Sequence, residues 1–280
     1  MPVLTRTWRR LKQAFQVLLL FVATGLLAFP FLWLLFSSFK TNAELFTPLQ
    51  LLPSSLSPRY FRELFRGEWL PYGRQYLSTV LIVSVQTALV LFSSSAAGFV
   101  FAHYRFPGHR IVYVAALSVI FIPKQTMVVP LLEWLIPLGL TNTLWGVILP
   151  GSVSGLGFLF FTEMNRRLPP ELFDAARLEG ASETGLYIRI ALPLLRPALL
   201  TFGFIHALLA AHETLLPLVV LSTPEKLPLT VGLGSLFGSY LRVPYAIIMA
   251  GFALLALPFL GAYIALTGQF RSTLREFLGD

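Results

Sequence analysis

The chain has 280 residues, of which 56% are apolar and only 12% charged, and its mean hydropathy is +0.74. That balance excludes an ordinary soluble domain, because too few polar side chains remain to wet a surface, and lipid must be the solvent for most of the chain. The formal net charge of +8 comes without any zinc-finger, basic-zipper or RNA-recognition pattern, so it reads as a topology signal and not as a nucleic-acid footprint, and the absence of cysteine excludes disulfides and thiolate metal sites.

A hydrocarbon core of about 30 Å takes roughly 20 apolar helical residues to cross. In chain order, Ala14 to Phe36 is the first run without Asp, Glu, Lys or Arg. It follows Arg6, Arg9, Arg10 and Lys12, is too long for a signal-peptide core and has no small-residue cleavage site after it, so it predicts an uncleaved anchor. Ser37 to Gln75 then forms an outer segment, and Tyr76 to Ala102 a second charge-free span. After a short turn, His103 to Arg110, a third span from Ile111 to Leu132 is interrupted only by Lys124. A short outer segment is expected around Glu133, then a charge-free fourth span from Trp134 to Thr162. Glu163 to Arg196 makes a long inner loop rich in both charge signs. The fifth span, Pro197 to Ser222, carries only Glu213, and beyond the outer segment Thr223 to Arg242 the sixth runs from Val243 to Phe270.

About six spans result, in an all-α polytopic membrane protein read as a single domain over residues 1–280. If they alternate, the N-terminal basic cluster, Arg105, Arg110, Arg166, Arg167, Arg177, Arg189, Arg271 and Arg275 share one side, which is the cytoplasm, and both termini lie there. Arg59, Arg62, Arg66 and Arg74 fall on the opposite side, accompanied by Glu44, Glu63 and Glu68. Prolines inside the spans, such as Pro30, Pro123, Pro130, Pro150, Pro217 and Pro258, predict kinked helices packed on neighbours. Gly151 and Gly155, and the small residues Ser93 to Ala97, predict close helix approach; for the serines a polar pathway lining is the other reading.

Polar groups within spans are costly and default to functional hypotheses. On a straight helix Lys124 lies about 21 Å beyond Arg110, near enough to the outer interface to snorkel, and Glu213 about 24 Å beyond Pro197. His206 falls nearer the midplane and, seven residues before Glu213, on the same helical face. His206, Glu213 and the mid-span Gln86 are the candidates for lining a solute pathway, with an interhelical hydrogen bond the alternative for each.

The inner loop carries the clearest local signal. Pro169-Pro170 followed by Glu171 starts a short helix and Gly180 stops it, with Leu172, Ala175, Ala176 and Glu179 on one face at helical spacing. Small residues there allow another backbone to come close, Gly180 permits a sharp turn, and Ser182 to Ile190 continues as helix until Pro193 and Pro197 steer the chain back into the membrane.

Asp174-Ala175-Ala176, then Gly180, then Ile190 and Leu192-Pro193 have the spacing of the EAA motif and resemble the MalG-type permeases of binding-protein-dependent ABC importers. Phe29-Pro30, Trp33, Ser38-Phe39-Lys40, Phe106-Pro107-Gly108 and Leu138 to Thr143 extend the resemblance over nearly the whole chain. Three features depart from that pattern: Asp174 replaces Glu, Ala211-His212-Glu213 replaces Trp-Asn-Glu, and the tail Arg271 to Asp280 lacks a Gly-rich ending.

The resemblance implies a MetI-like ABC permease fold in the bacterial inner membrane, with Glu171, Asp174, Ala175, Ala176, Gly180, Ala181, Ile190 and Pro193 coupling to an ATPase. It also implies a second permease subunit, two ATP-binding subunits, an extracytoplasmic solute-binding protein and a carbohydrate solute. A glycerol-phosphate-like solute is the alternative, and an ion-driven secondary transporter or a membrane enzyme the rivals from other classes. No Lys follows a Gly, so a phosphate-binding loop is absent and ATP hydrolysis is expected in separate subunits. No catalytic set and no cofactor site is evident, and His103, His109, His206 and His212 lack metal-binding spacing.

Overall fold

The computed structural model describes residues 2–47, 50–237 and 243–278, with side chains from Lys12 to Phe270 within those ranges and at Thr273. Arg242 and Asp280 lie outside the described residues, as do the side chains of Arg6, Arg9, Arg10, Arg271 and Arg275. Most of the described residues are helical with no strand among them, and they divide into two compact units.

The first unit holds residues 1–69 and 236–254. Its opening helix α1, Pro2–Ser37, stays regular through Pro30 and presents apolar side chains on every side, from Phe15 to Leu35. It ends in a turn where Ser37, Ser38 and Lys40 are buried, and the Lys40 ammonium donates to the Gln50 carbonyl at 2.5 Å. The short α2, Asn42–Leu45, is started by a capping box: Thr41 Oγ1 accepts the Glu44 N–H while the Glu44 carboxylate accepts the Thr41 N–H. Helix α3, Arg59–Arg66, stops at Gly67 with φ 73°, and Glu63 on it accepts from Arg59 Nε at 2.7 Å and Trp69 Nε1 at 3.1 Å. The carboxylates of this segment are therefore structural: they satisfy N–H groups and guanidinium within the loop itself.

The second unit holds residues 70–235 and 255–280 and is organised by α4, Tyr72–His103. Along it pack α8, Gly155–Arg166, and α12, Arg196–Ala211. Glycine makes the first approach: a Cβ at Gly98 would stand 2.7 Å from the Phe161 backbone, closer than real contacts allow. Around these helices lie α5, His109–Ser118; α6, Lys124–Leu135; α7, Trp145–Gly151; and the short α13, Leu215–Val220, and α14, Leu229–Ser235. One apolar core joins Ile82, Val128, Val147, Ile148 and Val220; a second joins Val90, Phe161, Ala198 and Phe202. The last helix, α15, runs from Tyr245 to Leu278, residues 245–254 of it counted with the first unit.

Among the described residues, three helices are long and apolar enough by themselves to cross a membrane: Lys12–Ser37, Tyr72–His103 and Tyr245–Phe270. Three more spans are bent pairs, so the total reaches six when each pair counts as one. His109–Phe121 and Lys124–Leu135 meet at 105°, across Ile122-Pro123. Trp145–Gly151 and Gly155–Arg166 meet at 44°, and Glu183–Leu194 and Arg196–Ala211 at 75°.

The bends correct several expectations. Lys124 opens α6 after the 105° turn, so a straight count from Arg110 does not give its depth. Glu133 sits within α6 and not in a connecting segment; the connection comes later, with Gly139 and Asn142 at φ 66° and 55°. The fourth span starts at Trp145 and not at Trp134. Gly151 and Gly155 both serve close approach, as their spacing suggests: added Cβ atoms would meet Gln86 Nε2 at 1.6 Å and Ile120 Cγ1 at 2.8 Å.

Candidate functional site

The inner loop folds as a helical hairpin. Helix α9, Pro170–Leu178, begins with Pro at its first position and Glu171 in its first turn. It ends in a Schellman motif: Gly180 N–H donates to Arg177 O at 3.0 Å and Ala181 N–H to Ala176 O at 2.9 Å, with Gly180 at φ 84°. A Cβ at Gly180 would meet nothing within 4 Å, so it is the left-handed backbone, and not clearance, that calls for glycine. Ser182 Oγ then caps the second arm by accepting the Gly185 N–H. That arm comprises α10, Glu183–Gly185, a π-helical turn, Leu186–Ala191, and α11, Leu192–Leu194.

Three contacts fix the hairpin to the end of α4. Phe173 is 1% exposed and packs on Phe99 and on the His103 ring, with Leu186 and Ala191 closing the cluster. Tyr187 Oη lies 2.7 Å from Ser95 Oγ, and the Tyr104 hydroxyl donates to Glu183. Arg177 bridges the arms to Glu183 at 3.3 Å and pairs with Asp174 of its own helix at 3.2 Å. These ion pairs are exposed and orient the arms more than they stabilise them.

With the hairpin anchored from beneath, its other face is open. Glu171, Leu172, Asp174, Ala175, Leu178 and Glu179 are exposed, Leu178 to 90%, as are Gly180, Ala181 and Pro193. Ala176 and Ile190 are half-buried against the Phe173 cluster. Sequence reading placed the hairpin and its stop but missed Phe173, Tyr104, Glu183 and Tyr187. The available signal was Phe173 three residues before Ala176, an apolar stripe that points the opposite way from Leu178.

Of the polar candidates inside the spans, Gln86 and His206 make interhelical hydrogen bonds, the alternative given for them, and only Glu213 departs from its expected place. Gln86, 5% exposed, points its amide at the Val147 and Ile148 carbonyls of α7 at 3.3 and 3.5 Å, in the space left by Gly151. One helical turn further from the hairpin's end of α4 than Leu91, Thr87 Oγ1 lies 3.1 Å from His206 Nδ1 on α12. Gln86, Thr87 and His206 thus form a polar seam where α4 meets α7 and α12, made of the interhelical hydrogen bonds that helices use in lipid. Glu213 does not share a helical face with His206, because α12 ends at Ala211; its carboxylate instead accepts the Leu215 and Leu216 N–H groups at the start of α13. Among the described residues no three His, Asp or Glu side chains come together as a metal site.

Comparison with known proteins places this geometry. Over 215 residues, 76% of each chain, the sequence is 34% identical to the arabinooligosaccharides transport system permease protein AraQ of Bacillus subtilis. It is 28% identical to the lactose transport system permease protein LacG of Rhizobium radiobacter over 96% of this chain and 97% of that one. In fold it superposes on a bacterial ABC transporter involved in the import of the acidic polysaccharide alginate, with a TM-score of 0.79 at 18% identity, covering 92% of this chain and 96% of the other. Residues 3–267 match the binding-protein-dependent transport system inner membrane component family, which takes in the apolar framework and the hairpin alike, and to that family the chain belongs.

Proposed function

We propose that this chain, as one permease domain over residues 1–280, carries an oligosaccharide or related carbohydrate across the inner membrane in an ATP-driven importer. The observation that carries the coupling part is the outward face of α9, where Leu178 is 90% exposed on a helix otherwise locked down by Phe173. A large apolar side chain held out on a rigid arm is suited to a cleft in another protein. That protein is an ATPase subunit, and Glu171, Asp174, Ala175, Ala176, Gly180, Ala181, Ile190 and Pro193 form or shape the docking element. Two such subunits, a second and different permease, and an extracytoplasmic binding protein complete the assembly. ATP hydrolysis resides in the ATPases.

The clustering of Lys and Arg supports a cytoplasmic hairpin and cytoplasmic termini. Because docking strength and solute affinity both differ between inward- and outward-open states, ATP binding shifts the population between them. Gln86 and His206 sit at a helix junction that such a shift would open, and Glu213 at the break after α12. The carbohydrate reading is supported by relatives named for arabinooligosaccharides and lactose. Uptake by proteoliposomes holding the full complex tests it. Labelled oligosaccharides are expected to accumulate with ATP; accumulation of glycerol phosphate in their place would replace the carbohydrate by a phosphorylated polyol.

A further inference from the structure

Beside the hairpin, and taking no part in it, is a pocket of about 630 Å³ whose lining includes Arg105, Gly108, His109, Arg110, Tyr113 and Arg166. Its charge is positive and poorly compensated. Arg166 pairs with Glu163 at 2.5 Å and lies over the Tyr113 ring at 5.4 Å. Among the described residues, no carboxylate lies within ion-pair distance of Arg105 or Arg110. His109 Nε2, 3.1 Å from the Phe101 carbonyl, holds its ring near-parallel to Tyr113, 3° between planes, which builds a flat wall behind the guanidinium groups. Helix α5 starts at the pocket after Gly108, with no acidic residue in its first turn; the His109 N–H donates to the Phe106 carbonyl at 3.1 Å, and the positive end of the helix dipole adds to the same field.

We infer that this pocket binds the phosphodiester headgroup of an anionic phospholipid. Three guanidiniums around a helix start match a phosphate, whose oxygens take bidentate pairs from Arg. A lipid fits better than a soluble anion because Ile111, which lines one rim of the pocket, belongs to an exposed apolar side of α5. Ile111 is 76% exposed and Val112 and Val114 about half, a ready track for acyl chains below a seated headgroup. The basic residues that mark topology thus also make a specific lipid contact at the foot of the α5 and α8 helices. Which leaflet supplies the lipid rests on the orientation proposed above; the headgroup chemistry does not.

Native mass spectrometry of the full chain in detergent tests this, with phosphatidylglycerol, phosphatidylcholine and inorganic phosphate as probes. The wild type is expected to retain phosphatidylglycerol over phosphatidylcholine. Removing two arginines near the surface, in Arg105→Gln with Arg110→Gln, is expected to weaken phosphatidylglycerol binding roughly thirtyfold, a factor of about five for each charge. Arg105→Lys with Arg110→Lys keeps the charge and is expected to stay within about fivefold of wild type, which separates loss of charge from loss of fold. Unchanged binding in the Gln pair, equal retention of phosphatidylcholine, or displacement of phosphatidylglycerol by equimolar inorganic phosphate would each overturn the inference. The readout needs neither transport nor a partner, so its failure leaves the importer reading standing, and failure of sugar uptake leaves the pocket standing.

Discussion

Helices α1 and α4 have similar length and hydropathy, 2.4 for the best window of α1 and 1.9 for that of α4, yet they solve opposite problems. None of the α1 window is buried within the chain, whereas 28% of the α4 window is. The difference lies in small and polar residues. Helix α4 carries Gln75, Ser78, Thr79, Gln86, Ser94, Ser95 and Gly98 on its buried side, and several bond another element: Gln75 to the Pro224 carbonyl, Thr79 from the Leu229 N–H, Ser95 with Tyr187. Helix α1 has no such stripe from Ala14 to Leu35. In a bilayer apolar contact does not distinguish a neighbouring helix from lipid, so close approach and hydrogen bonds decide how much of a helix its own unit buries.

Glycine substitutions sharpen that contrast most. Gly98→Leu forces a side chain into the Phe161 backbone and is expected to cost about 3 kcal/mol or more, seen as lost thermal stability in detergent. Gly25→Leu on α1 meets nothing within 4 Å and is expected to leave stability unchanged. Comparable losses in both would end the distinction between a span held by close backbone approach and one that is not.

The hairpin takes the next largest effects. Gly180→Leu strains a residue at φ 84° by roughly 1–2 kcal/mol without a clash. Insertion is expected to persist while solute-stimulated ATP hydrolysis falls at least tenfold; normal stimulation would remove this turn from coupling. Phe173→Ala, at a 1% exposed position, is expected to loosen the hairpin by about 3 kcal/mol, read as faster proteolysis between Arg167 and Arg189, whereas Leu178→Ala leaves proteolysis unchanged.

Smaller effects follow from the polar groups. Gln86→Leu removes one interhelical bond and is expected to cost only about 0.6 kcal/mol in unfolding titrations. On the outer segment, hydrogen bonds from the Ser54 hydroxyl and from the Thr41 and Ser54 backbones hold Glu44 down to about 2, from 4.5. Since the folded value is the lower one, its contribution is complete above about 4.5 and is lost as pH falls towards 2. Hydrogen exchange at Thr41 and Ser54 is expected to be flat from pH 7 to 5 and to speed up below 4.5, once corrected for intrinsic rates; Glu44→Ala removes the step.

Legibility in the sequence followed the punctuation. Helix α9 could be drawn to the residue because Pro170 and Gly180 impose a start and a stop by backbone geometry alone. The bent spans are legible only as kinks, because Pro123, Pro150 and Pro197 stand at or beside the three breaks but nothing in the sequence sets how far each helix turns, and lipid tolerates bent and straight helices alike. Trp134 to Thr162 misled because it holds no charge, and only Gly139 and Asn142, at positive φ, mark the turn inside it. Glu213 was placed on His206's face because no Gly or Pro stands between Ala211 and Pro217 to end the helix. The pathway candidates stayed ambiguous since a side chain that lines a route in one state and bonds a neighbour in another has the same sequence.

On the proposed reading, the exposed face of α9 seats an ATPase subunit on the cytoplasmic side. The chain has no cysteine, so a single Leu178→Cys substitution gives an unambiguous probe. In the assembled complex this cysteine is expected to crosslink to the ATPase subunit, and to remain unlabelled by a membrane-impermeant maleimide applied to intact, outer-membrane-permeabilised cells. Labelling from outside, or absence of the crosslink in a complex that still hydrolyses ATP in response to solute, would contradict it.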